Sequence, residues 1–413
     1  MLYNRDTADL LMEEYQLDAV LASDPTTLAY LGYKLWLNSL RGWMMRPGRG
    51  LSPAIPFYCL IPHQADPVYI LNSMSVSFLS QENAGDIICY NSYTDFPVYD
   101  SSISRQNPLH GKINAIHGQG VFDDPFFALQ HALRKYDLEK AKIAVEGFSI
   151  SPLVLNRLKS KFKEATFGDG SEIFRLMRMI KTDEEIEILT ECARITESGM
   201  LRAADAIEPG RRFADSYSTF RNVVLDGGAE LEHFALFPNG MGFTEHQDFV
   251  LEQNTAIAID AGVFYRNYVS DSAMTLFVGC PDPKHREIYA QLLDIMETGQ
   301  REIRPGVKCS QVFNVMNAKK IGYGFEKINV EGHGIGLNCR EYPIVNAGLD
   351  YAYDDGFRDR EADFTLEKNM VICLEVARHI YNESCVQIEK IYRITDSGCQ
   401  EITPQNRSEP ILR

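Results

Sequence analysis

The chain has 413 residues, 45% of them hydrophobic and 24% charged, which is enough for two globular domains of ordinary composition. Its formal net charge of −16 argues against a nucleic-acid partner, because such a partner requires a basic face. An acidic N-terminus, no apolar run of membrane-spanning length and nine cysteines without a CxxC pair favour a cytoplasmic protein with reduced thiols and no membrane partner.

The first part of the chain alternates helix and strand patterns, which predicts an α/β domain. Predicted helices cover residues 6–15, 126–136 and 152–162, and predicted strands cover residues 19–22, 57–61, 68–71 and 142–145. The glycine-rich stretch 167–171 interrupts this alternation. We therefore expect an N-terminal domain over residues 1–167 and a second domain over residues 172–413.

Two similar helical patterns occur in the second domain. A capping-box motif at residues 182–185 predicts a helix that reaches about Ala206 and ends before Pro209-Gly210. A second long helix, from about Lys284, ends before Pro305-Gly306, and each Pro-Gly pair leads into a shorter helix. This recurrence predicts an internal duplication whose halves place their sheets face to face around a cleft. Coincidence is the alternative, because Pro-Gly commonly ends helices.

Between these helical patterns, residues 255–279 have the pattern of a β-hairpin. An apolar run ends in Asp260, and a turn with Gly and Asn leads to a second β-rich run that carries Asp271. Two carboxylates at this separation repel one another unless one is protonated or a cation lies between them. The hairpin by itself favours one buried and one solvated acid, but the residues that follow favour a shared site.

Four further residues stand in unusual contexts. His333 lies between glycines, which lets other groups approach its ring closely, although a single histidine is more often structural. Glu375 and Glu389 each end a largely apolar strand pattern, a costly place for an acid unless a positive charge is near. A glycine-rich loop leads to His246, for which an ordinary surface role is an equal alternative.

These residues, in this order and in these contexts, resemble the ligand set of the pita-bread metallopeptidases, the superfamily of methionine aminopeptidase, aminopeptidase P, prolidase and creatinase. The resembling set is Asp260, Asp271, His333, Glu375 and Glu389. Residues 17–33 and 180–185 resemble the start of the N-terminal and of the catalytic domain in creatinase-type members. The resemblance implies a creatinase-type α/β N-terminal domain followed by an α+β pita-bread catalytic domain with an internal pseudo-two-fold duplication.

The resemblance also implies two divalent metal ions, whose charge four carboxylates and one neutral imidazole would balance. Mostly oxygen ligands suit Mn²⁺, and the imidazole also admits Zn²⁺, Co²⁺ or Fe²⁺. By similarity, Asp260 would chelate one metal, and His333 and Glu375 would bind mainly the other. Asp271 and Glu389 would bridge the two metals. A bridging water would be the nucleophile, Glu375 would also handle the proton, and His246 would steady the tetrahedral intermediate.

Several positions around this set differ from the peptidase pattern. The peptidases carry HGxGxxxHE, and the later histidine is Arg340 here; their RIED is Gln387-Ile388-Glu389-Lys390 here. Strand alternation places Gln387 on the same side as Glu389, so its side chain should line the site. In the peptidases an arginine at that position helps to bind the substrate, and an amide gives up its fixed charge. We therefore expect a kept metal centre with an altered substrate-binding shell.

Replacement groups for substrate binding are Arg340, Gln387 and a basic segment at residues 34–49. This segment contains Trp36, Arg41, Trp43 and Arg46. In dimeric relatives such as creatinase the corresponding loop reaches the catalytic cleft of the partner. We therefore hypothesise that Arg41 or Arg46, with Trp36 or Trp43, binds a small anionic or cationic-headed substrate across a homodimer interface; a solvated basic loop is the ordinary alternative. The acidic, aromatic segment 346–361 is either a lid or, more commonly, a solvated loop.

The leading interpretation is a dinuclear metal hydrolase of a C–N bond, similar to Xaa-Pro dipeptidase, that acts on a dipeptide or small amino-acid derivative. One alternative is a non-peptidase member of the same fold, such as an ectoine hydrolase, an amidinohydrolase or a sulfoniopropionate lyase. The other is an inactive binding module. Such modules have typically lost the ligands, whereas all five ligand positions are present here.

Overall fold

The structure is a computed structural model that describes residues 3–33, 56–79, 85–91, 121–240, 250–251, 253–325, 329–346, 363–403 and 409–413. The chain divides into two compact units, Met1–Arg178 and Met179–Arg413. Within the described ranges, no helix combines the length and the apolar character that a membrane span requires.

The first unit is an α/β structure. Its helices are α1 (Arg5–Glu14), α2 (Pro25–Tyr30), α3 (Pro125–Lys135), α4 (Pro152–Lys161) and α5 (Ser171–Met177), with a short 3-10 helix at Ser73–Phe78. Its strands are β1 (Ala19–Ala22), β2 (Tyr58–Pro62), β3 (Val68–Asn72), β4 (Asp86–Tyr90), β5 (Val121–Phe122), β6 (Lys142–Val145) and β7 (Thr166–Asp169). Among the described residues these strands form one sheet of order β5-β4-β3-β2-β1-β6-β7, antiparallel across β1–β2 and β2–β3 and parallel elsewhere.

The predicted elements of this unit lie within one residue of the observed limits at each end. Strands 19–22 and 142–145 have the predicted limits, because each is a short buried run beside a polar boundary. The glycine-rich stretch 167–171, at which the sequence places the domain boundary, contributes the end of β7 and the start of α5.

The second unit combines four helices and ten strands in its described residues. The helices are α6 (Asp183–Asp205), α7 (Phe213–Asp226), α8 (Pro283–Glu302) and α9 (Cys309–Gly322), with a 3-10 turn at Pro238–Gly240. The strands are β8 (Glu230–Phe237), β9 (Thr255–Tyr265), β10 (Tyr268–Val269), β11 (Ser272–Val278), β12 (Asn329–Gly334), β13 (Glu341–Val345), β14 (Val371–Ile380), β15 (Ser384–Ile394), β16 (Cys399–Glu401) and β17 (Ile411–Leu412).

The two helix pairs of this unit are built alike, as the duplication predicts. Gly199 and Gly299 each lie sixteen residues after the first residue of their long helix (183 to 199 and 283 to 299). A Cβ added at Gly199 would lie 2.8 Å from the ring of Phe220, and one at Gly299 would lie 2.5 Å from Sδ of Met316. Phe220 and Met316 each lie seven residues into the short helix, so the same close helix–helix contact occurs in both halves.

Each helix pair covers its own part of a shared sheet. The α6–α7 pair packs on β8, β9 and β11, and the α8–α9 pair packs mainly on β14 and β15, so each half has its own apolar core. The described strands nevertheless form one ten-stranded sheet, because β11 pairs with β15 at Ala273 and Glu389. The expectation of two separate sheets facing one another is therefore wrong: backbone hydrogen bonds join the halves edge to edge.

Candidate metal centre

Neighbouring strands around the join of the two halves carry four of the five residues singled out as candidate ligands, and the fifth lies directly before one of these strands. The five residues are Asp260 on β9, Asp271 directly before β11, His333 on β12, Glu375 on β14 and Glu389 on β15. The order β9-β11-β15-β14-β12 makes these strands successive neighbours, and the register sets Glu375 directly opposite Glu389. Cross-strand neighbours of this kind have Cβ atoms about 4.5–5.5 Å apart, so the side chains meet on one face.

Asp271 lies between two imidazole rings. Its Oδ1 is 3.5 Å from Nε2 of His233, and its Oδ2 is 3.8 Å from Nε2 of His333. Nε2 of His333 is also 3.8 Å from Oε1 of Glu389. A carboxylate that presents one oxygen to each of two nitrogen donors has the arrangement of a bridging ligand.

Two buried polar atoms in this cluster show whether its geometry suits a metal ion. Nε2 of His333 and Oε1 of Glu389 have no hydrogen-bond partner among the described residues, although burial of an unpaired polar atom is costly. Their 3.8 Å separation is too long for a hydrogen bond. It suits two ligands of one ion at distances of about 2.0–2.2 Å each. The donor set therefore fits a divalent metal.

The electrostatics of the metal-free cluster lead to the same conclusion. Burial and the charge of Asp260 raise the pKa of Glu375 to about 8 and also raise the pKa of Asp271. Burial and the charge of Asp271 raise the pKa of Glu389 well above its ordinary value, whereas burial lowers the pKa of His333. Burial and mutual repulsion thus disfavour the charged forms of Asp271, Glu375 and Glu389, and a divalent ion among them would offset both effects.

Gln387 contacts two of the candidate ligands directly. Its Nε2 donates to Oδ2 of Asp260 at 3.0 Å and to Oε1 of Glu375 at 3.1 Å, and the residue is only 1% exposed. The side chain thus lies on the side of the strand that alternation predicts. Both amide hydrogens are therefore directed at carboxylates of candidate ligands.

Arg340 lies at the edge of the cluster, where Nη2 donates to Oε1 of Glu331 at 3.0 Å. Burial lowers the pKa of Arg340, but the carboxylates of Glu331 and Glu375 raise it by more, so the net shift is upward. The guanidinium charge is therefore already balanced in part by an acid of the chain. A role for Arg340 in substrate binding stays a prediction.

The structure adds residues that the motifs did not indicate. His233, Asp260 and Asp271 each offer a ligand atom within 4.8 Å of one another, and so do His333, Cys373 and Glu389. Burial lowers the pKa of His233, but its hydrogen bonds to Asp260 and Glu232 and the charge of Asp271 raise it well above the ordinary value. The sequence signal that could have indicated His233 is the Glu232-His233 pair near the start of β8, two polar residues within a strand-forming run.

A thiol also contacts the cluster. Sγ of Cys339 donates to Oδ2 of Asp271 at 2.9 Å, from the same loop that carries Arg340. The remaining predicted site residues lie outside the described residues: Trp36, Arg41, Trp43, Arg46 and His246, with residues 347–361 of the acidic segment. Their roles stay predictions, as does the metal-binding role of the five candidate ligands.

The chain is similar to known metallopeptidases in both sequence and fold. A family model described as Metallopeptidase family M24 matches residues 187–396. A curated Xaa-Pro dipeptidase from Pyrococcus furiosus is 27% identical over 276 residues, which cover 64% of this chain and 74% of that protein. Two solved structures share the fold: a prolidase from Pyrococcus horikoshii (TM-score 0.70, 20% identity, 98% and 99% of the two chains) and an Xaa-Pro dipeptidase from Bacillus anthracis (TM-score 0.72, 19% identity, 99% of each chain).

Proposed function

The chain belongs to metallopeptidase family M24, and on that premise we propose that it hydrolyses a C–N bond with the help of two divalent metal ions. The proposed substrate is a dipeptide or a small amino-acid derivative, as the relatives named Xaa-Pro dipeptidase suggest. The observation that carries the proposal is the acid cluster around Asp271, in which His333 and Glu389 each present a buried atom that has no hydrogen-bond partner within the described part of the chain.

The roles of the residues follow from their contacts. When bound, the ions would polarise the scissile carbonyl and acidify a water molecule; they would be held by Asp260, Asp271, His333, Glu375 and Glu389. Gln387 keeps Asp260 and Glu375 in place by donating to both. Glu375 is the proposed proton carrier, because it is the carboxylate that the family resemblance assigns to this step. Manganese is the preferred metal, since four of the five ligands offer oxygen.

A second candidate is supported by the substrate-binding shell. The position occupied by arginine in the peptidases is Gln387, and Glu331 already pairs with the guanidinium of Arg340 at 3.0 Å. A dipeptide would therefore lack the fixed arginine contact that the peptidases provide for their substrate. This favours a non-peptidase member of the fold that acts on a cyclic amidine, a guanidino acid or a sulfonium compound.

The test measures metal and activity on the same preparation. The protein is stripped with a chelator and reloaded with Mn²⁺, Zn²⁺ or Co²⁺, and bound metal is counted by mass spectrometry. Hydrolysis of Ala-Pro, Gly-Pro and proline-free dipeptides is then compared with that of guanidino acids and cyclic amidines. We expect two metals per chain and activity that the chelator abolishes, and loss of both in Asp271→Asn. A wild-type chain that binds no divalent ion would refute the proposal, and rapid cleavage of Ala-Pro would refute the second candidate.

The proposed assembly is a homodimer in which residues 34–49 of one chain approach the site of the other. Arg46→Ala and Trp43→Ala test this, because both should raise KM for the substrate identified above without changing metal content. Sedimentation of the wild-type protein tests the dimer independently, and a monomer with full activity would contradict it.

A further inference from the structure

His233 occupies a position that none of the ligand motifs covers. Its Nε2 lies 2.9 Å from Oδ1 of Asp260 and 3.5 Å from Oδ1 of Asp271. Its other nitrogen, Nδ1, contacts Oε2 of Glu232. The imidazole is therefore enclosed by three carboxylates, two of which are candidate metal ligands.

The local backbone is shaped to place this ring. Neighbouring residues of a regular strand point to opposite faces, so Glu232 and His233 should not meet. The β8–β9 register shifts between Leu231 and His233, and this bulge lets the two side chains converge. His233 pairs with Gly262, where an added Cβ would lie 2.8 Å from Cε1 of the imidazole. A glycine at this position thus leaves the space that the ring occupies.

The hydrogen bond at one nitrogen determines what the other can do. A carboxylate accepts a hydrogen bond from Nδ1–H, so Glu232 favours the tautomer in which the lone pair of Nε2 is free. In that tautomer the lone pair points toward two carboxylate oxygens, which are acceptors as well. The cluster is balanced either by a proton on Nε2, which donates to Oδ1 of Asp260, or by a metal ion among the three atoms, which lie within 4.8 Å of one another. Carboxylate–histidine–metal arrangements of this kind are common around protein-bound metals.

We propose that His233 is a sixth protein ligand of the centre, binding through Nε2 the ion that Asp260 and Asp271 hold, with Glu232 as the residue that positions its ring. This inference rests on the proposed dinuclear centre and adds a second imidazole to it. Each ion then has one nitrogen ligand, His233 on the Asp260 side and His333 on the Glu389 side. A second nitrogen moves the metal preference toward Zn²⁺, Co²⁺ or Fe²⁺ and away from Mn²⁺.

The decisive measurement needs no substitution at the site. The protein is labelled with ¹⁵N-histidine, stripped and loaded with ¹¹³Cd²⁺, and ¹¹³Cd–¹⁵N couplings are recorded by NMR. Two coupled imidazoles are expected, one on each of two cadmium signals. Coupling from a single imidazole would overturn the assignment of His233 while leaving the dinuclear centre intact. Absence of bound cadmium in the wild-type protein would instead count against the proposed function itself.

Variants test the same ligand by affinity. In calorimetric titrations with Zn²⁺, His233→Ala and His233→Gln should weaken one of two sites at least tenfold and leave the other unchanged. Glu232→Gln should weaken the same site by about ten- to a hundredfold, because it loses only the partner that orients the ring. His131→Ala, an exposed histidine of the first unit, is the matched control and should bind both ions as the wild type does. Two unchanged sites in both His233 variants would overturn the proposal.

Discussion

Lys181 is the cation of a buried network that supports the loop beside the candidate metal centre. Its Nζ lies 3.0 Å from Oε2 of Glu341, and the two side chains are 1% and 3% exposed. A second buried acid, Glu185, also interacts with this charge and accepts a hydrogen bond from the hydroxyl of Tyr268 at 2.9 Å. Replacing Lys181 with methionine keeps the length of the side chain and removes the charge. We expect Lys181→Met to be among the most destabilising single substitutions in the second unit.

The magnitude follows from burial and distance. At an effective dielectric constant of about 20, two charges 3.0 Å apart attract by ~5 kcal/mol. Most of this attraction offsets the cost of burying the charges, so the relevant quantity is the penalty for an acid left alone, about 3–5 kcal/mol. Lys181→Met leaves two acids, Glu341 and Glu185, without their shared cation. Glu341→Gln leaves Lys181 balanced by Glu185, so it should cost less, about 1–3 kcal/mol.

The loss of unfolding free energy caused by Lys181→Met should also depend on pH. Burial raises the pKa of Glu185, and removal of the lysine raises it further, because the lysine charge acts in the opposite direction. A folded-state pKa above the unfolded value means that stability is lost as pH rises through the folded pKa. The deficit of Lys181→Met relative to wild type should therefore be larger at pH 8 than at pH 5.

Hydrogen exchange followed by mass spectrometry measures this in the second unit alone. Peptides from α6 and β13 report the opening free energy of the elements that carry the network. A loss of 3 kcal/mol or more makes their slowest amides exchange roughly a hundredfold faster. Lys319→Met is the matched control, because its ion pair with Asp294 at 2.7 Å is exposed to solvent and should contribute little to stability. Equal effects of the two lysine substitutions would refute the reasoning.

Three further outcomes are expected. Burial and the charge of Asp24 raise the pKa of Glu146 to about 8 from an ordinary 4.5, so the first unit should lose several kcal/mol of stability as pH rises from 4.5 through 8. Glu146→Gln should remove this dependence, which hydrogen exchange of β1 and β6 peptides would detect; an unchanged pH profile in the variant would contradict it. Gln387→Ala removes the amide that donates to Asp260 and to Glu375, so it should lower the affinity for Mn²⁺ about ten- to a hundredfold. Calorimetric titration measures this affinity, and an unchanged value would show that those contacts do not position the proposed ligands. Removal of metal by a chelator should lower the thermal midpoint of the second unit, and Mn²⁺ at about 100 times its Kd should restore ~2.7 kcal/mol of unfolding free energy. A midpoint that does not change with metal in scanning calorimetry would argue against the proposed centre.

The secondary structure and its repetition could be predicted from local patterns. Thr182 accepts a hydrogen bond from the backbone of Glu185, whose side chain accepts one from the backbone of Thr182, so the motif identified the first turn of α6 correctly. The apolar runs before Glu375 and Glu389 identified β14 and β15 for a similar reason, since a run of consecutive apolar residues is a local signal of a buried strand. The strand that ends in the glycine-rich stretch 167–171 could not be predicted locally, because it is stabilised by pairing with β6 rather than by local propensity.

The sequence by itself determined which acids and which histidine are candidates for one site, because their order and contexts resemble the ligand set of a known family; strand alternation determined only the face on which each side chain lies. Only the tertiary structure decided that His233 joins them, since its direction depends on a bulge in β8, on the register with β9 and on a glycine 29 residues further along at Gly262. It likewise decided that Arg340 pairs with Glu331. Contacts between strands depend on register and backbone irregularity, and neither is encoded in the residues of one strand.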